Sequence, residues 1–110
     1  MPRPPAILLL AALCGCGASS SFSATPRPVQ AVPEAFAVDT TFHRTATVAP
    51  AGTCLTHLVD PRDGTTLVLD RAHAGIGDFV VTPADRYGLR PDERLRVECA
   101  TGKPLGAVPK

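Results

Sequence analysis

Tryptophan is absent from this 110-residue chain, and aromatic side chains make up only 5% of it, four phenylalanines and one tyrosine. The core must therefore rest on leucine and valine, with Ile76. Serine occurs only at Ser19, Ser20, Ser21 and Ser23. The body of the chain thus has no serine to act as nucleophile, which excludes a Ser-His-Asp triad there. Neither sign of charge is in excess: from Phe36 onward, nine Lys/Arg stand against nine Asp/Glu. That balance gives no electrostatic pull towards nucleic acid, and no such partner is expected. Internal repeats, a CxxC pair and any long 3.6-residue hydrophobic period are also missing.

What is present begins at the N-terminus. Arg3 precedes the apolar run Ala6-Ile7-Leu8-Leu9-Leu10-Ala11-Ala12-Leu13, far short of the roughly 20 apolar residues a permanent span needs. It has the proportions of a removable signal. The run ends in Leu13-Cys14-Gly15-Cys16, with Gly17 next. This pattern resembles the lipobox of bacterial lipoproteins. The resemblance covers only the first seventeen residues and identifies no family for the remainder of the chain.

The resemblance implies removal of residues 1–15, diacylglycerol on the Cys16 thiol, and in many bacteria a further acyl chain. At about 0.8 kcal/mol per buried CH₂, two or three chains make a firm membrane anchor where one would be marginal. Gly17, where an aspartate would retain a lipoprotein, implies the outer membrane with the domain in the periplasm. In a single-membrane bacterium the same signal implies the outer face of the plasma membrane.

Residues 16–35 then read as the lipidated cysteine and a flexible Pro/Ser stalk, with Pro26, Pro28 and Pro33 favouring extended backbone. Residues 36–110 read as one small β domain, marginal in size without a staple. With Cys14 removed and Cys16 acylated, Cys54 and Cys99 are left, and an oxidising compartment suggests one structural disulfide between them.

Patterning favours strands. Arg94-Leu95-Arg96-Val97-Glu98-Cys99 alternates apolar and charged residues, putting Leu95, Val97 and Cys99 on one face. Residues 65–69 and 78–82 are short β-branched or apolar runs, and residues 45–49, 53–59 and 104–108 are further candidates. Asp60-Pro61-Arg62-Asp63-Gly64 carries the proline and glycine of a turn. The fold class is therefore all-β, a small barrel or sandwich of about six short strands with one disulfide. The runner-up is α+β, with a helix near residues 71–77, against which Gly75 and Gly77 argue.

Few residues suggest chemistry. Cys54 and His57 have a metal-like separation, but residues three apart on a strand point to opposite faces. His43, His57 and His73 are otherwise scattered, and no metal or cofactor is expected. The best working surface is Arg86, Tyr87, Leu89 and Arg90, residue types enriched at interface hot spots. Interleaved Asp85, Asp92 and Glu93 allow the plainer reading of a solvated face. The expected function is that of a membrane-anchored binding module for an envelope protein partner, not an enzyme. The alternatives are a small hydrolase of cell-wall glycans or a structural envelope protein.

Overall fold

The computed structural model describes residues 24–44, 49 and 52–110. The signal, Cys16 and most of the strand expected over residues 45–49 lie outside the described residues. Six strands succeed one another in chain order: β1 (Ala37–Val38), β2 (His57–Val59), β3 (Thr66–His73), β4 (Ile76–Thr82), β5 (Glu93–Glu98) and β6 (Lys103–Pro109). They form a single antiparallel sheet with spatial order identical to chain order. The sheet curls into a half-barrel, so the all-β expectation holds and the architecture is one curled layer rather than two stacked sheets.

The helix considered near residues 71–77 does not form. Arg71 to His73 extend β3, and Ala74 and Gly75 make the two-residue turn into β4. Both turn residues have positive φ, 53° and 81°. That is the geometry whose twist matches a hairpin, and glycine suits its second position.

Strand alternation builds the core. Leu67 on β3, Phe79 and Val81 on β4, and Leu95 and Val97 on β5 point inward with little or no exposure. Phe36, Leu58, Tyr87, Leu89 and Ala107 complete the cluster. Each such large side chain stabilises the fold by about 1.5–3 kcal/mol through burial. Phe79→Ala would cost about 3–5 kcal/mol once its cavity is included.

Cys54, just before β2, is bonded to Cys99, just after β5, with their Cα atoms 5.1 Å apart. Since β3 and β4 lie between those strands in the sheet, the bond ties its two flanks together and holds the curl. Gly77 faces this bond: a Cβ there would lie 3.1 Å from the Cys99 sulfur and 2.8 Å from the Phe79 ring.

Of the stretch expected as a stalk, residues 16–35, residues 24–35 are described and pack on the sheet. Arg27 pairs with Ala107 of β6 through two backbone hydrogen bonds, 2.7 and 2.8 Å. Its guanidinium clasps Glu93, where Nε donates to Oε2 at 3.1 Å and Nη2 donates to Oε1. Val29 and Val32 pack against the core, and the amide of Phe36 donates to Gly102 O at 2.7 Å. An edge strand with unpaired amides needs cover, and this segment supplies it along part of β6.

The outer face of the sheet carries a second departure. Alternation predicts a solvated Arg96, yet it is 4% exposed. Its guanidinium chelates Asp78 (Nε to Oδ1 2.7 Å, Nη2 to Oδ2 3.0 Å), and Arg71 Nε reaches Oδ2 from the other side at 2.9 Å. Register makes this inevitable: Asp78 sits opposite Arg71 on β3 and Arg96 on β5. A fully buried carboxylate demands such compensation.

Candidate binding surfaces

The four residues expected to form one exposed face do not do so. Tyr87 is 1% exposed and Leu89 is 5% exposed, both within the core cluster. The β4–β5 connection folds inward because the half-barrel interior needs filling and the chain has few large side chains to fill it. Tyr87 meets Phe36 edge-on, ring centroids 5.6 Å apart, and its hydroxyl donates to Asp60 Oδ2 at 2.6 Å. A buried phenol requires such a partner.

Arg86 and Arg90 stay outside, but apart in role. Arg86 lies over the Tyr87 ring, 4.6 Å from its centroid, and pairs with Asp63 at 2.8 Å. Arg90 is largely exposed, with a long 3.9 Å approach to Glu93.

Asp60 organises this end of the molecule. It is fully buried where β2 enters the turn, and it also receives Arg62 Nη2 on Oδ2 at 2.8 Å and the Arg62 amide on Oδ1 at 2.9 Å. The Arg62 guanidinium above all, then the Tyr87 hydroxyl, hold its carboxyl well below the usual carboxylate range against the cost of burial. Burial, and after it the bond to Asp60, pushes the Tyr87 phenol up. Neither group is positioned to exchange protons with a ligand. The pair is structural. Sequence reading places Asp60 in a turn and has no signal linking it to a tyrosine 27 residues away.

An exposed site arises elsewhere, at Phe42 and at His43 and His57, two histidines that look merely scattered in the sequence. Asp39 closes a turn after β1: its carboxylate accepts from the Thr41 amide at 3.0 Å, and its carbonyl accepts from the Phe42 and His43 amides, both at 3.1 Å. The Asp39 amide donates to His57 O at 3.3 Å, which fixes the turn against β2. Phe42 consequently lies flat on the His57 imidazole, centroids 3.8 Å apart and planes 9° from parallel. His43 lies alongside, its Nε2 accepting from the His57 amide at 3.3 Å. That bond assigns the proton of neutral His43 to Nδ1. Thr56 Oγ1 lies 2.9 Å from His57 Nδ1.

Phe42 remains 61% exposed, the most exposed large apolar side chain among the described residues. The patch therefore offers an ordered aromatic face with imidazole donors and acceptors at its rim. It is suited to stacking and hydrogen bonding. Among the described residues, no three His, Cys, Asp or Glu side chains come together as a metal site.

Two grooves also mark the surface of the described residues. One, of about 520 Å³, runs between Val32, Pro33, Glu34 and Ala35 on one side and Pro61 and Arg62 on the other. The other, of about 340 Å³, lies on the outer face at the β6 side, with Ala24, Pro26, Ile76 and Leu105 among its walls.

No family model, curated protein or solved structure matches this chain, so any reading of its function rests on its own residues.

Proposed function

We propose that this protein is a lipid-anchored envelope lipoprotein whose small β domain acts as a binding module, engaging a protein partner through Phe42, His57 and His43. The anchor reading is supported by Leu13-Cys14-Gly15-Cys16 after a short apolar run, with Gly17 favouring the outer membrane. The single observation that carries the binding reading is the Phe42–His57 stack. A phenylalanine held rigid at 61% exposure loses little rotamer freedom on docking and contributes apolar contact area to the core of an interface.

The test pairs recovery with stability. Acylated protein is crosslinked in intact envelopes and purified in detergent, and the species recovered with the natural chain is compared with that for Phe42→Ala. Truncating a true hot spot costs more than about 2 kcal/mol of binding. At an exposed position, stability changes by less than about 0.5 kcal/mol. Lost recovery at unchanged melting temperature supports the patch, and undiminished recovery removes it. Cys16→Ser tests the anchor in the same envelopes, and is expected to block acylation and leave unprocessed precursor; a variant that still partitions with detergent and matures normally overturns the anchor.

A further inference from the structure

The point at which the tether reaches the domain is itself an apolar groove. Ala24 and Pro26 line it together with His73, Ala74 and Ile76 from the β3–β4 hairpin, Leu105, and the buried Arg96. Ala24 is not loosely placed, because its carbonyl accepts from Arg96 Nη1 at 3.5 Å and Arg27 is clasped by Ala107 and Glu93 three residues later. Leu105 owes its position to a bulge: Arg96 pairs with Gly106 and Val97 with Pro104, leaving Leu105 unpaired and 39% exposed.

We infer that this groove, with Leu105 at its rim, is the face on which the domain rests against the lipid surface of its own membrane. The inference depends on the anchor reading of Cys16. Seven residues lie between Cys16 and Ala24, so eight chain steps join them. Fully extended, they reach at most about 29 Å. With the acyl chains holding Cys16 at the interface, the groove is the part of the domain that the tether keeps nearest the bilayer. Its chemistry fits that surface. Leucine, isoleucine, proline and alanine suit the headgroup–acyl boundary, and no carboxylate lines the groove to repel anionic headgroups. Leu105 on β6 and His57 on β2 are not on neighbouring strands, with β3, β4 and β5 between them in the sheet order, which makes Phe42 the comparison position for the groove.

The experiment places a photoreactive probe on each face. Leu105 or, separately, Phe42 is replaced by p-benzoylphenylalanine in the full chain. The acylated protein is reconstituted into phosphatidylethanolamine–phosphatidylglycerol vesicles, its intact mass is recorded, and the sample is irradiated. Lipid adducts at position 105 with none above background at position 42 are expected. Equal labelling of the two positions, or adducts from position 105 only to residues 17–23, overturns the proposal; the latter result would assign the groove to the chain itself. Absence of lipid from Cys16 in the intact mass overturns the anchor and the docking with it, and is distinguished before irradiation. The unsubstituted protein gives an independent reading. In nanodiscs carrying a gadolinium-chelating lipid, the amide signals of Ala74, Ile76 and Leu105 are expected to broaden before those of Phe42 and His57, and the opposite order rules the docking out.

Discussion

The hydroxyl of Tyr87 donates to Oδ2 of Asp60 at 2.6 Å inside the half-barrel, joining the β4–β5 connection to the turn after β2. A neutral donor on a buried carboxylate is a charge-assisted bond, worth about 1.5–3 kcal/mol. Tyr87→Phe keeps the ring against Phe36 and removes the hydroxyl with its bond to Asp60 and its contact with Thr65, leaving Asp60 to Arg62. The expected loss is therefore about 1.5–3 kcal/mol, read as a lower midpoint in urea with unchanged slope. Tyr87→Ala also opens a cavity and is expected to cost about 3–5 kcal/mol. A Phe variant as stable as the natural chain would show that Arg62 alone satisfies Asp60.

The Cys54–Cys99 bond closes a 45-residue separation across the two flanks of the sheet. The chain-entropy argument assigns such a loop about 4 kcal/mol. Replacing both cysteines by serine is expected to lower stability by about that amount, and a small domain has little more to lose. Thermal unfolding of the double variant beside the natural chain, with and without reductant, is the measurement. Reductant should lower the melting temperature of the natural chain alone.

The parts of this fold legible in the sequence are those fixed by neighbours along the chain. Residues 94–99 alternate strictly, and they form β5 with Leu95 and Val97 fully buried. Cys54 and Cys99 pair by elimination, and the bond is there. What stays illegible depends on partners remote in sequence. Tyr87 looks like an exposed anchor among arginines, because nothing nearby reveals that the half-barrel needs a ring at that point. Residues 24–35 look like a stalk, because proline-rich composition reports backbone preference and is silent about the edge of β6. Phe42 draws no notice in the sequence, since its exposure depends on a turn set by Asp39 and a histidine 15 residues further on.

Gly106 tests whether the segment before β1 belongs to the fold. Its φ is +136°, and a Cβ there would stand 2.6 Å from Pro26 Cβ and 2.7 Å from Arg27 O. The segment comes this close to β6 only because no side chain intervenes. Gly106→Ala is expected to cost more than about 1 kcal/mol from backbone strain alone. It should also accelerate hydrogen exchange at the Ala107 amide, which donates to Arg27 O at 2.8 Å. Unchanged exchange would mean that the segment holds its place by other contacts.

Glu93 gives the same attachment a pH dependence. Its carboxylate receives the Arg27 guanidinium and the Arg90 amide, the latter on Oε1 at 2.9 Å. The Arg27 side-chain bonds above all hold its pKa down to about 2, against an ordinary value of 4.5, with burial opposing. A carboxyl group whose folded pKa is depressed contributes stability that is complete above its unfolded pKa. The contribution is lost as pH falls towards the folded value, because the unfolded chain takes up the proton first. The Glu93 contribution should therefore be whole above about pH 5 and disappear between about pH 4.5 and pH 2. Asp60 and Asp63 are depressed too and titrate in the same acidic direction, so the natural chain alone cannot isolate Glu93. Glu93→Gln can, since it removes one titration and leaves the others. Urea unfolding of both chains at successive pH values is expected to give a constant gap near neutrality that narrows through the acidic window. Exchange at the Ala107 amide should rise in parallel in the natural chain. A gap independent of pH would show that Glu93 holds Arg27 no more tightly as a carboxylate than as an amide, and the ionic clasp on β6 would be discarded.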